Sequence, residues 1–312
     1  MNVSALGVSR APDTVFFLTD YGLRDEFVGV VHAVLHRLAP QAAVIDISHE
    51  VPPHDLRSGA AMLARALPHL GPGVVLAVVD PGVGGKRRCI AVQTRVADEP
   101  RANIFVGPDN GLLMEAIDTA GSVELVAEVR RGTTLVRVDP ASPSASVSES
   151  RHAVTFDGRD VLAPAVAAIC NGVPVAELGP TLRADELVRL ASPVLELDEH
   201  KGRKALRAEV TWIDRFGNAQ LAAGPDVLGV GQSTLLEPGN SRRVRLEWSG
   251  GAGRDERGDG RMIRWVRTFE DLEPAEVGLI VDANLRLALV APQSSASDLL
   301  GLRLGSVVSL EW

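Results

Sequence analysis

Through the first half of the chain, short runs of consecutive apolar residues alternate with longer segments in which apolar positions recur every three or four residues. "TVFFLTD" at 14–20 precedes "FVGVVHAVLHRLAP" at 27–40, and "AAVIDIS" at 42–48 precedes "DLRSGAAMLARALPHL" at 55–70, before "GVVLAVVDPGVGG" at 73–85. A continuous apolar run suits a strand buried on both faces, and the three-and-four recurrence suits a helix packed on such a strand. Strand, helix, strand, helix, strand predicts an α/β domain with a largely parallel sheet and flanking helices. "CIAVQT", "NIFVGPDNG" and "VELVAEV" predict further strands, and "GRDVLAPAVAAICNG" a further helix.

After about Gly179 the pattern changes. "LRADELVRLASPVLELDEHKGRK" reads as a connector. From Ala205 on, short alternating segments follow one another: "LRAEVTWID", "STLLE", "RRVRLEW", "IRWVRTF", "VGLIVDA", "RLALVA" and "SVVSLEW". Regularly spaced short strands predict an all-β domain, a barrel or sandwich. The expected division is an N-terminal α/β domain at 13–182, a linker at 183–204 and a C-terminal β-barrel domain at 205–312. Two polar stretches, "DPASPSASVSESRH" at 139–152 and "SGGAGRDERGDGR" at 249–261, have little to bury and read as surface loops.

The length of 312 residues agrees with two domains. Aromatics make up only 4% of the chain, so the cores must rest on Val, Leu, Ala and Ile. A formal net charge of -8 argues against a nucleic-acid backbone as partner, because that contact needs clustered Lys and Arg. No apolar run approaches the roughly 18 residues of a membrane span. The first twelve residues lack the apolar segment of a signal peptide, and Cys89 and Cys170 have no CxxC spacing. Buried thiols in a reducing compartment, and hence a cytoplasmic protein, are the expectation.

Parallel sheets of this kind hold ligands beyond the carboxyl ends of their strands, which puts Asp20, Asp80 and Asp109 on a shared edge. In "VVDPGVGGKRR", Arg87 can turn back across a tight loop toward Asp80, giving an oriented carboxylate; a surface ion pair is the plainer alternative. "FVGPDNGLL", with Asp109 and Asn110, is also a good turn. In "TFDGRDVLAP", Asp157 or Asp160 can cap the helix that follows. "WIDRFGNAQLA" offers an aromatic, an acid and an amide that can recognise a base, or simply form a hairpin turn. His32 and His36 stand one turn apart, but no HExxH accompanies them, so a plain helix face and no metal is expected. P-loop, GxGxxG and GxSxG signatures are all missing.

Taken in order, "FLTDYG", "DISHEVPPHDLRSGA", "VVDPGVGGKRR", "FVGPDNGLL", "TFDGRDVLAP" and "IDRFGNAQL" resemble the S-adenosyl-L-methionine hydroxide adenosyltransferases, relatives of the fluorinating and chlorinating enzymes. The resemblance runs from about Val15 to Val308. It implies an N-terminal α/β domain, a C-terminal β-barrel, and homotrimers with sites between neighbouring subunits. The implied reaction is S-adenosylmethionine plus water giving adenosine and methionine, with no metal or redox cofactor. It also implies Asp80, Arg87 and Asp157 as the group that handles the water, and Asp20 as the grip on the ribose hydroxyls. Asp109, Asn110 and Phe156 fall among the implied substrate-binding residues. Phe216 and Asn218 match the adenine-recognising turn, Phe269 is a second wall, and Asp214 faces the methionine ammonium.

Two departures from the family pattern follow from the same motifs. Asp157 stands where the family has the histidine of an Asp-Arg-His group, and Val281 to Leu302 lacks the usual Asn-rich pattern. Three readings result: a hydrolase, a protein that binds S-adenosylmethionine or adenosine without turnover, and a halide-dependent transferase. Asp80 and Gly158 disfavour the last, since a carboxylate repels an anion and glycine offers no hydroxyl to hold one.

Overall fold

A computed structural model describes residues 11–95, 103–130, 155–200, 203–228, 242–248 and 260–312. The expected strand "STLLE" and the loop at 139–152 lie outside the described residues, as does the loop at 249–261 apart from its last two residues. The chain divides into two compact units, 1–190 and 191–312.

The first unit holds six strands: β1 (Thr14–Thr19), β2 (Ala43–Ser48), β3 (Val74–Val78), β4 (Cys89–Arg95), β5 (Asn103–Pro108) and β6 (Ser122–Glu128). They form one sheet in the order β2-β1-β3-β5-β4-β6. β2, β1, β3 and β5 are parallel, and β4 runs against both β5 and β6. Alternate residues of each central strand enter different cores, which is why the apolar runs are continuous. Val15 and Phe17 of β1 and Val74, Leu76 and Val78 of β3 pack beneath α1 (Phe27–Leu38) and α4 (Ala163–Cys170). Phe16, Leu18, Val75, Ala77 and Val79 face the other way, toward α2 (Leu56–Ala66) and α3 (Met114–Ala120).

Local sequence features shape the helices. Val28, Val31 and Leu35 form the buried stripe of α1. Asp55 caps α2 by accepting from Ser58 N at 3.0 Å and Ser58 Oγ at 2.6 Å. Helix α4 is buried almost all round, and a π-helical turn at Gly158–Leu162 leads into it.

The second unit holds β7 (Leu195–His200), β8 (Arg203–Ile213), β9 (Ala219–Leu221), β10 (Arg242–Trp248), β11 (Arg261–Trp265), β12 (Gly278–Val281), β13 (Leu287–Val290) and β14 (Val307–Glu311), with a short helix α5 (Ala296–Leu300). Because β14 pairs with both β10 and β8, seven strands close into a barrel, and β7 pairs beside β8. Leu206, Ala208 and Val210, Val244 and Leu246, Leu287 and Leu289, and Val308 and Leu310 fill its interior at every second position.

Residues 183–204, expected as a linker, are shared between the two compact units. Leu187 is buried in the core under α2 and α3, and Val188 N donates to Asp109 Oδ1 at 2.9 Å, so the first part belongs to the α/β unit. Val194 N donates to Glu209 Oε2 at 2.9 Å, and 195–200 is strand β7. What looked polar and unanchored is tied by backbone groups that one-dimensional patterning does not register. Among the described residues, no helix is long and apolar enough to cross a membrane.

Strand β3 carries the loop that holds Asp80, and Leu76 is fully buried at its centre. Leu76→Ala is expected to cost about 2–5 kcal/mol, read as a lower denaturant midpoint at unchanged slope.

Candidate active site

The parallel order β1-β3-β5 brings three strand tips together at one edge, with Asp20 after β1, Asp80 after β3 and Asp109 after β5. Because β4 is antiparallel to β5, its first residues return to that same edge, and Arg87 and Arg88 lie just before Cys89. The loop between β3 and β4 is short and internally bonded, Val83 N donating to Asp80 O at 3.2 Å and Gly85 N to Gly82 O at 3.0 Å.

That loop folds the Arg87 guanidinium back onto Asp80. Nε donates to Asp80 Oδ1 at 3.0 Å and to Oδ2 at 2.8 Å, and Nη2 donates to Oδ2 as well. Nη2 also donates to Asp157 Oδ2, while Nη1 lies 3.3 Å from Cys89 Sγ. One guanidinium therefore joins two carboxylates whose side chains are 5% and 0% exposed. Burial alone would weaken the guanidinium's hold on its proton; Asp80 and Asp157 outweigh it and push the pKa above the ordinary arginine range.

Asp157 reaches this position from the π-helical turn. It occupies the N-terminal capping position but makes no capping bond with its side chain, while Asp160 pairs with Arg159 at 2.7 Å. π-turns are rare and gather at functional sites, because the wider turn re-aims a side chain. Gly158 is required there by close approach: a Cβ would sit 2.2 Å from the Tyr21 hydroxyl oxygen.

Tyr21 is a residue that sequence patterning passed over. Its ring packs with Phe27 and Phe156 at centroid distances of 5.8 and 5.7 Å, so Phe156 belongs to an aromatic wall beside the site. Burial, then the nearby charges of Asp20, Asp80 and Asp157, push the phenol well above its ordinary pKa. Its being the single tyrosine of the chain was the one available hint.

Asp20 sits at the tip of β1, and its Oδ2 accepts from His54 N at 2.9 Å. His54, just after Pro52-Pro53, has a φ of 67°, in the left-handed region. Asp109 and Asn110 are engaged within the chain. Asp109 takes Arg88 Nε at 2.9 Å and Val188 N at 2.9 Å, and Asn110 Nδ2 donates to Val79 O at 2.9 Å.

In the barrel unit, Asp214, Phe216 and Asn218 form one turn after β8. Asp214 Oδ1 accepts from Phe216 N at 2.8 Å and Asn218 N at 3.0 Å, and Oδ2 accepts from Asn218 Nδ2 at 2.8 Å. Gly217 has a φ of 81°, and its carbonyl accepts from Ser297 N at 2.9 Å, which fastens the turn to the start of α5. Phe216 is 70% exposed and Phe269 43% exposed.

The class of protein follows from the family models that match both units. Residues 15–179 match the SAM hydroxide adenosyltransferase N-terminal domain and residues 208–309 the C-terminal domain, and the chain belongs to that family. It is 39% identical over 291 residues to the (R)-S-adenosyl-L-methionine hydrolase of Salinispora tropica, covering 93% of this chain and 95% of the relative. Against the protein of the same name from Thermus thermophilus it is 38% identical over 298 residues, covering 95% and 98%. A fluorinase from an Actinoplanes species is more distant, at 28% identity over 57% of this chain and 61% of its own. Among solved structures, an uncharacterized conserved protein from Thermotoga maritima superposes with a TM-score of 0.73 at 29% identity, covering 95% of this chain and 99% of that one.

The Tyr21 phenol gives a direct spectroscopic check. Since its folded pKa lies above the unfolded value of roughly 10, the unfolded chain releases its proton first, and stability falls as pH rises past that value. Ultraviolet titration should show tyrosinate appearing only above the ordinary range or together with alkaline unfolding. A native-state midpoint near 10 would contradict the crowded, anionic surroundings.

Proposed function

We propose that the protein hydrolyses S-adenosyl-L-methionine to adenosine and L-methionine, acting on the (R)-epimer named for its Salinispora and Thermus relatives. The observation that carries this reading is the buried Asp80–Arg87–Asp157 clamp at the carboxyl edge of a sheet belonging to that family.

The chemistry suits the arrangement. A sulfonium is a leaving group that needs no further activation, so the protein has to place a water opposite sulfur and take its proton. The water oxygen bonds to the ribose C5′ as the C5′–S bond breaks, its electron pair returning to sulfur to give the neutral thioether of methionine. The released proton passes to a carboxylate of the clamp and on to solvent. Two carboxylates and one guanidinium carry a formal charge of one negative, complementary to the cationic substrate.

Asp20 is assigned to the ribose hydroxyls, its free acceptor capacity and fixed carboxylate supporting that role. Asp109 and Asn110 act by bracing the edge, in keeping with their bonds to Arg88, Val188 and Val79. Phe156 supplies an apolar wall. Phe216 and Phe269 stack on adenine, Asn218 bonds its edge, and Asp214 holds the turn while presenting negative charge toward the methionine ammonium. The family resemblance supports a homotrimer, in which a neighbouring subunit would cover the exposed Phe216 and Phe269 of the barrel unit.

A second reading, binding without turnover, draws on Asp157 standing where the family has histidine. Incubation with substrate, with and without chloride, separates the readings by chromatography: adenosine alone is expected, whereas unchanged bound substrate favours the binder and 5′-chloroadenosine a halide transferase. Asp80→Asn and Arg87→Lys should each lower kcat by about 10²–10⁴-fold, since the first removes a carboxylate and the second the forked donor that joins the pair. Asp157→His should leave turnover at least as fast as in the parent. Light scattering in solution should give three chains per particle, and a fully active monomer would contradict the shared-site assignment.

A further inference from the structure

The face of the N-terminal sheet that α1 covers carries a second polar cluster, separate from the Arg87 clamp. Asp46 of β2 stands opposite Phe17 of β1 in the parallel register, so it shares a face with Phe17 and, two residues on, with Thr19. His32, on α1, brings Nε2 to 2.8 Å from Asp46 Oδ1. His49, the residue after β2, brings its own Nε2 to 3.1 Å from the same oxygen. Two imidazole nitrogens and a carboxylate oxygen, from three separate points of the chain, lie within 4.8 Å of one another. The partner of His32 is thus across the sheet edge and not His36, one turn along the helix.

Hydrogen bonding leaves part of this cluster unexplained. His49 is 4% exposed, and its Nε2 is buried without a hydrogen bond of acceptable geometry, Asp46 being near but out of line. Buried polar nitrogens in this condition are rare and call for another ligand. The rest of the ring is firmly oriented: Nδ1 lies 2.8 Å from Thr19 Oγ1, and the ring meets Phe17 edge-on at 4.7 Å. Phe17 also touches the His32 ring, at 5.9 Å between centroids. A hydroxyl behind one imidazole nitrogen orients the ring, and in the tautomer with Nδ1–H donating to that hydroxyl the other nitrogen offers a lone pair, the arrangement that supports metal-ligating histidines.

We propose that His32, Asp46 and His49 bind a divalent transition ion of the zinc type, with Thr19 orienting His49 from behind. Two imidazoles and one carboxylate form a three-ligand set that leaves a position for water, and imidazole selects such ions over Mg²⁺ and Ca²⁺, which prefer oxygen. The His32 and Asp46 side chains are 35% and 41% exposed, which gives the ion a way in from solvent, while the buried His49 anchors it from the core side. Thr19 Oγ1 also accepts from Tyr21 N at 3.1 Å, so occupancy would brace the strand tip that carries Asp20. The site does not depend on the proposed hydrolysis.

The test uses the full chain, stripped with a chelator, dialysed and titrated by calorimetry with Zn²⁺ and, separately, Mg²⁺. One saturable Zn²⁺ per chain is expected, with no Mg²⁺ signal. His32→Gln, at a partly exposed helix position, and Asp46→Asn should each weaken binding by at least tenfold with circular dichroism unchanged. Thr19→Val should weaken it by roughly tenfold. Absence of saturable Zn²⁺ binding overturns the proposal. So does binding that His32→Gln and Asp46→Asn leave unaltered, which marks an adventitious ion only, or Mg²⁺ binding as tightly as Zn²⁺.

Discussion

Two carboxylates sealed from water cannot stay close together unless a cation lies between them, and Arg87 is that cation. The Asp80 and Asp157 side chains are 5% and 0% exposed, and removing the guanidinium would leave two buried like charges without the cation they share. Much of the first unit's topology serves this contact. Asp80 must leave the end of a central parallel strand, and Arg87 must re-enter at the same edge. That requires β4 to be antiparallel, because a parallel strand would begin at the opposite edge. Asp157 must come from outside the sheet, and the π-turn ahead of α4 supplies it.

The surroundings complete the electrostatics. The Tyr21 phenol, kept neutral by burial and by three carboxylates, adds no further negative charge beside the clamp. Gly158 makes room for its hydroxyl, so a side chain at 158 and Tyr21 in its present place exclude each other. The group that Arg87 joins to Asp80 is a second carboxylate, Asp157, and not an imidazole. In the proposed hydrolysis, proton acceptance falls to oxygen rather than to imidazole nitrogen, which fits a reaction whose leaving group needs no acid.

Much of this was legible in the chain itself. Continuous apolar runs at 15–18 and 74–79 gave away strands buried on both faces, and the six motifs pointed to the family before any geometry was known. The closure of the barrel was legible only as a succession of short alternating strands, because the β14 to β8 pairing joins segments about a hundred residues apart. The anchoring of 183–204 was not legible, because Leu187, Val188 and Val194 are held by contacts outside that polar stretch. Tyr21 and His49 were passed over for a similar reason. What matters about each is which groups the fold packs around it, and part of each set is distant in sequence: Asp80, Phe156 and Asp157 for Tyr21, Phe17 and Thr19 for His49.

The central claim is that the clamped carboxylates direct water to the ribose C5′. Turnover of S-adenosyl-L-methionine in ¹⁸O-enriched water, with both products analysed by mass spectrometry, tests it most directly. The account predicts one heavy oxygen in the 5′-hydroxyl of adenosine and unlabelled methionine. Label in homoserine accompanied by methylthioadenosine, or adenosine without heavy oxygen, would contradict it.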